Sequence, residues 1–294
     1  MSKIDISNLQ NEQYKKDNFR IQIVNENIDV CYVFFTSNGF WMDETFEDIV
    51  VSQDRYEWEN LSKSEQIRSS AGKYIFIRDV YKHHYVDGIN ENIDSIDKII
   101  DFLKAEVKGY NLITVGDSSG GYMAMIVGTR LNAQKIYSFG GIFSLYKWCG
   151  GNNTFTFNDL TYLTKYVGQE KSKYFDICNL IKEENIPIYH FFAAQSEADI
   201  IQINTVCANK PDNLFLFPLK EQKHGSSILP FCYPKVLTMD NESLGSVYKY
   251  FEGNDIDKKK FAVKILGFTK TVFELFKRTK RLAIKSLKYR LKLG

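Results

Sequence analysis

Gly116-Asp117-Ser118-Ser119-Gly120-Gly121 directly follows the apolar run Leu112–Val115. This G-x-S-x-G spacing suits a tight strand-to-helix turn. There a serine nucleophile is held in a strained conformation, and the positions two before and two after it must be small. Gly116 and Gly120 meet that demand for Ser118, whereas centring the pattern on Ser119 would put Asp117 at the first small position. A helix opening here offers backbone N–H groups, that of Ser119 among them, and its positive dipole end to a developing oxyanion. The chemistry is acyl transfer through a covalent serine intermediate, and it requires a base.

Downstream of Ser118 the histidines are His190 and His224. His190 lies inside the apolar run Ile186–Ala194 and reads as a packed core residue. His224 lies in the polar stretch Lys223-His224-Gly225-Ser226 after the last apolar run, where an imidazole can swing over the serine. An acid to orient it belongs after the penultimate strand. Both Glu197 and Asp199 of Gln195-Ser196-Glu197-Ala198-Asp199 qualify, and position after the strand end favours Asp199. A second oxyanion donor is expected from the loop Thr36-Ser37-Asn38-Gly39-Phe40, at Asn38 or Gly39. Arg78 either grips an anionic substrate or forms a structural ion pair beneath the site, with Asp79 beside it at the end of a strand. His83 and His84 precede the serine, so the chain order disfavours them as base; with Arg78 they are candidates for lining the substrate cleft.

These residues need a scaffold that brings distant loops to one edge. Runs rich in β-branched and aromatic residues recur at 28–35, 74–77, 112–115, 136–139, 186–194 and 214–219. Their hydrophobicity is continuous rather than alternating, which predicts strands buried on both faces of a parallel sheet. Ile21–Val24 suits an antiparallel edge strand. Between the runs, Ile93, Ile96, Ile99, Ile100, Leu103 and Val107 make one helical stripe, and 122–131 forms the helix after the serine. The fold class is therefore α/β, a mostly parallel central sheet flanked by helices. The long interval 141–185, with Trp148 and the turn Gly150-Gly151-Asn152-Asn153, is a candidate cap over the site.

Serine, acid and histidine after consecutive strands, in that order, resemble the α/β-hydrolase superfamily over roughly 28–229. Within it, the combination FIRD, then a His/Tyr loop, then VGDSSGGYMAM resembles bacterial capsule and surface-polysaccharide O-acetyltransferases of that fold. The resemblance implies serine-mediated transfer of an acetyl group to a sugar hydroxyl, with Ser118 as nucleophile, Asp199 as acid and His224 as base. No Gly-rich phosphate loop or metal motif is visible, so no bound cofactor is expected; a transferase would still need an acyl donor, for which acetyl-CoA is a candidate. A carboxylesterase or sugar-ester deacetylase uses the same intermediate, with water in place of the sugar. A reading of another class is a non-catalytic scaffold subunit at a membrane, which loss of a triad member would favour.

Charge divides the chain into a body, 1–257, and a tail, 258–294. The tail carries 13 Lys or Arg against one acid, Glu274, so the remainder is acidic although the whole is only +2. Phe261, Ile265, Phe268, Val272, Leu275, Phe276, Leu282 and Leu287 recur there at mostly helical spacing. A basic amphipathic helix on an anionic membrane surface is expected, with no nucleic-acid binding. The five cysteines include no C-x-x-C pair, and no zinc or other metal motif is visible. With a polar N-terminus and no long apolar stretch, the expectation is a cytoplasmic protein held peripherally at the inner membrane face.

Overall fold

Continuous apolar runs can be buried only if both faces of the sheet are covered, and that is the architecture found. The computed structural model describes residues 6–148, 158–225 and 227–292, with 158–161 and 283–292 as backbone only. Seven strands share one sheet: β1 (Phe19–Ile23), β2 (Val30–Phe35), β3 (Lys73–Ile77), β4 (Asn111–Asp117), β5 (Lys135–Phe139), β6 (Ile188–Ala193) and β7 (Leu214–Leu219). Their order is β1-β3-β2-β4-β5-β6-β7. β1 is an antiparallel edge strand, Ile21 opposite Ile75, and all other pairings are parallel. The described helices are α1 (Ile6–Tyr14), α2 (Glu59–Ser62), α3 (Glu65–Arg68), α4 (Ile96–Glu106), α5 (Ser119–Arg130), α6 (Leu180–Glu183), α7 (Glu197–Cys207), α8 (Tyr233–Thr238), α9 (Asn241–Phe251), α10 (Lys258–Leu266) and α11 (Phe268–Lys292).

The pleat sorts each strand's side chains into two cores. From β2, Cys31, Val33 and Phe35 join the layer that holds α4 and α5. Tyr32 and Phe34 face the other way, into the layer of α8, α9 and α10. In α4 the expected stripe buries Ile96, Ile99 and Leu103, and Ser95 caps the helix by accepting the Lys98 N–H at 3.3 Å. α5 is buried nearly all round, from Ser119 to Thr129, as befits a helix that crosses the centre of the sheet. Parallel strands deliver their C-terminal ends, and the loops that follow them, to one edge of the sheet. This is the α/β-hydrolase-like arrangement expected of the chain.

The described parts of the interval 141–185 pack on the α5 side. Ser144 bridges to Asp176, and Phe143, Leu145, Phe175 and Ile177 are buried in that core. The turn expected at 150–153 lies outside the described residues. The basic tail divides in two. Phe261, Ala262 and Ile265 of α10 are buried, with Phe261 edge-on to Phe191 and Phe217, so α10 packs as part of the body. Gly267, at φ +82°, ends α10, and α11 begins directly after it. No described helix is long and apolar enough to cross a membrane.

This division has a measurable consequence. Phe261→Ala should cost about 3–5 kcal/mol, the usual range for emptying a buried phenyl site. Phe276→Ala, at an exposed position of α11, should stay within about 0.5 kcal/mol. Urea unfolding compares the two; equal small losses would mean that α10 is not part of the core.

Candidate active site

The turn from β4 to α5 has no spare residue, so Ser118 itself must reverse the chain. Its φ of 51° and ψ of −117° lie in a region that side chains rarely occupy. Its N–H donates to the Phe139 carbonyl on β5 at 2.8 Å, and its carbonyl accepts from Tyr122 at 3.0 Å. The turn closes only because its flanks lack side chains. A Cβ on Gly116 would stand 2.1 Å from the Gly120 backbone, and one on Gly120 would stand 2.3 Å from the Phe35 carbonyl oxygen.

Ser118 Oγ lies 2.9 Å from His224 Nε2. His224 Nδ1 lies 2.5 Å from Asp199 Oδ1. The other oxygen, Oδ2, accepts the Ala193 N–H at the end of β6, at 2.8 Å. A base bonded to the nucleophile and oriented by a buried carboxylate is the geometry of a Ser-His-Asp triad. Of the two candidate acids, Asp199 is the one that meets the imidazole. Ser196 caps α7, so Asp199 falls in the first turn facing inward and is buried, while Glu197 is exposed. His190 is buried, bonded to Ser138 Oγ at 3.1 Å, and burial lowers its pKa to about 4, as suits a core histidine.

The loop after β2 reaches Ser119, the residue next to Ser118. The Asn38 N–H donates to Ser119 Oγ at 2.8 Å, and the Asn38 amide donates to the Lys82 carbonyl at 2.9 Å. Asn38 is therefore in place, but its N–H is engaged by the Ser119 hydroxyl. Gly39 is exposed beside it, and the Ser119 N–H opens α5. His84 approaches this loop, with Nδ1 3.4 Å from the Asn38 amide nitrogen. Burial, and then His83 and His224, depress its pKa to about 3, so it stays neutral. His83 turns to Asp87 at 2.7 Å and stacks on Tyr162 at 3.8 Å. Among the described residues, His224 is the histidine bonded to Ser118.

Arg78 is corrected as a substrate-binding candidate. Its side chain is fully buried, bonded to Asn18 Oδ1, the Arg55 carbonyl and Asp54 Oδ1, and lies 4.3 Å over the Tyr56 ring. Nothing in solution can reach it, and its ion-pair partner is Asp54. Asp79 instead accepts the N–H groups of Tyr81 and Tyr85 at 3.0 and 2.9 Å. That holds a loop in which Lys82, His84 and Tyr85 all have positive φ. Tyr85 then donates to the Thr36 carbonyl at 2.6 Å, tying this loop to the one that carries Asn38.

Three residues near the site were given no role of their own in the sequence, although Trp148 stood in the candidate cap and Asp117 in the motif. Trp148 sets its ring edge-on to His224, with centroids 4.5 Å apart. Glu57 accepts the Ser37 N–H at 2.6 Å and so braces the start of the Asn38 loop. Asp117 occupies the variable position before the nucleophile. Burial, and then the charges of Glu57 and Asp199, push its pKa well above the usual carboxyl range. Burial likewise raises Glu57 to about 7. Asp117 was visible inside the motif; Glu57, remote in sequence, carried no signal.

No protein-family model matches this chain, and no curated protein matches it. Similar solved structures include the capsule O-acetyltransferase of Neisseria meningitidis serogroup A, at 11% identity and TM-score 0.48, covering 80% of this chain and 92% of that one. Another is FphF, a fluorophosphonate-binding serine hydrolase of Staphylococcus aureus, at 10% identity and TM-score 0.47, covering 74% and 84%. An α/β hydrolase from a lagoon-sediment metagenome shares 14% identity at TM-score 0.44, covering 80% and 97%. Likeness at this level assigns no activity, and the triad rests on its own geometry.

The buried proton near Glu57 gives a pH signature. Glu57 loses its proton near 4.5 when unfolded and near 7 when folded. Its contribution to stability is therefore complete below pH 4.5 and is lost as pH rises through about 7. Glu57→Gln should flatten the fall in Tm across that window relative to the parent. An unchanged slope would assign the proton to another group.

Proposed function

We propose that this protein is a serine acyltransferase, and that its reaction is O-acetylation of a hydroxyl on a bacterial surface polysaccharide with acetyl-CoA as donor. One observation carries the catalytic part: the unbroken hydrogen-bonded line from Ser118 through His224 to Asp199. A serine hydroxyl is a poor nucleophile near neutral pH, and a bonded imidazole removes that barrier. His224 Nε2 takes the proton as Ser118 Oγ bonds to the acyl carbon. The tetrahedral oxyanion forms against the N-terminus of α5, where the Ser119 N–H supplies a donor, and the second comes from the Gly39 N–H or from the Asn38 N–H once it leaves the Ser119 hydroxyl. The imidazolium returns its proton to the departing thiolate, leaving an acyl-serine. The acceptor hydroxyl then gives its proton to His224 as its oxygen bonds to the acyl carbon, and Ser118 regains its hydrogen.

Transfer prevails over hydrolysis when the acceptor is held and water is excluded. Trp148, set edge-on to the base, supports the transferase reading, because an indole there shields the imidazole and offers a ring face or edge to a sugar. The polysaccharide acceptor and the acetyl donor rest on the resemblance of FIRD, the His/Tyr loop and VGDSSGGYMAM. The intact triad weighs against a purely structural role.

Ser118→Ala should abolish labelling by a fluorophosphonate probe and acetyl transfer from acetyl-CoA, whereas Ser119→Ala should retain labelling. Asp199→Asn should lower kcat by about 10⁴-fold, the scale for a mispositioned triad histidine, and Glu197→Gln should have little effect. Labelling at Ser119 would remove the catalytic reading. Labelling of Ser118 with ester hydrolysis but no transfer to any polysaccharide would replace the transferase with an esterase.

A further inference from the structure

α11 packs against the body through an unexpected side. Thr271 is buried, and Glu274 and Leu275 are partly buried. The large apolar side chains face away. Phe268 is 72% exposed, Phe273 55% and Phe276 69%, and Val272 and Leu282 are exposed beside them. At 3.6 residues per turn, Phe268, Val272 and Phe276 fall within an arc of about 80°, with Phe273 about 60° beyond it. Lys270, Lys277 and Arg281 occupy the opposite flank. The phenylalanine stripe is thus left open while the seam to the body uses Thr271, Glu274 and Leu275. Helices of globular domains orient the other way, apolar side inward.

Charge selects the occupant. The segment 258–294 holds 13 basic residues and one acid, whereas the rest of the chain is net acidic. Yet among the described residues the basic helix is not neutralised on that acidic body: Lys270, Arg278, Lys280 and Arg281 form no ion pair, and Lys277 pairs with Glu274 of its own helix while its ammonium lies 4.2 Å from the Phe273 ring centroid. The matching surface must be apolar where the phenylalanines point and anionic along the flanks, which are the two properties of an anionic bilayer interface. A nucleic-acid duplex supplies the charge but no apolar layer deep enough for adjacent turns of phenylalanine. No described helix has the length and apolarity to cross a membrane, so the helix lies along the surface.

We propose that α11 docks this protein on anionic phospholipid membranes, its Phe268–Phe276 face inserted among the acyl chains and its Lys and Arg flanks over the headgroups. The inference is independent of the triad. It gives the preceding body, with its α10 anchored in the core, a fixed tether to a surface on which a membrane-borne acceptor could be met.

The test is flotation of the full chain with vesicles of phosphatidylcholine alone and of phosphatidylcholine mixed with phosphatidylglycerol. The parent should float with the mixed vesicles, and with pure phosphatidylcholine at least tenfold more weakly. A triple variant, Phe268→Ser, Phe273→Ser and Phe276→Ser, should lose at least tenfold in partitioning while keeping the parent Tm and its hydrolysis of a soluble ester. Lys270→Gln with Lys280→Gln and Arg281→Gln should weaken binding to the anionic vesicles and reduce its salt dependence. Equal flotation of the parent and the phenylalanine variant would overturn the proposal, as would no flotation of the parent at low salt. So would a dimer in gel filtration that the phenylalanine substitutions dissolve without any vesicle binding, or a duplex DNA that binds more tightly than the vesicles.

Discussion

The approach of the α5 N-terminus to the end of β2 is the constraint on which the site depends. Gly120 lies so close to the Phe35 carbonyl that any side chain would displace backbone. That contact brings the nucleophile turn and the Asn38 loop together, because the loop starts at the next residue. It also explains why Ser118 accepts a backbone conformation costing on the order of 1–3 kcal/mol. α5 is buried along nearly its whole length, and the gain from that burial holds the strained residue in place. Ser118, the Asn38 loop and the helix therefore form one packing unit, and none of them could shift without the others.

Around this unit the polar groups are braced from behind. Asp199 divides its carboxylate between the Ala193 N–H and His224, so the end of β6 fixes the acid and the acid fixes the base. Glu57 braces the Asn38 loop through Ser37, and Asp79 braces the 81–85 loop through two N–H groups. Tyr85 joins the two loops through the Thr36 carbonyl. Asp87 extends the bracing outward, binding His83, Lys171 and the Tyr166 hydroxyl and so linking the 141–185 interval to the loop after β3. Such a concentration of buried and half-buried acids is costly unless each is bonded or keeps its proton. Asp87, with its three partners, is held well below the usual range; Glu57 and Asp79 are raised to about 7 and 6.

The two ends of the charge distribution serve different physics. Acids concentrated in the body act at short range, as hydrogen-bond acceptors around a half-buried site. Among the described side chains of α11, Lys270, Arg278, Lys280 and Arg281 form no ion pair, and their fields extend into solvent within a Debye length of about 8–10 Å. α10 stands at the boundary, with lysines on its surface and Phe261 in the core.

By itself the sequence determined the fold class and the strand runs and singled out Ser118 and His224 as candidates, because those depend on local properties. Continuous apolar runs require burial on both faces, and a nucleophile turn without side chains on its flanks is a short-range steric demand. What tertiary structure decided were matters of direction and partnership. Glu197 and Asp199 are two residues apart on one helix turn, and only the phase of α7 points the second inward. Arg78 reads as a strand-end cation, yet Asn18 and Asp54, distant in sequence, draw it wholly inside. Phe261 and Phe276 share one periodic pattern, but one meets Phe191 and Phe217 and the other meets solvent. Periodicity reports that a helix has an apolar side; what that side faces depends on surfaces contributed by residues far away in the chain.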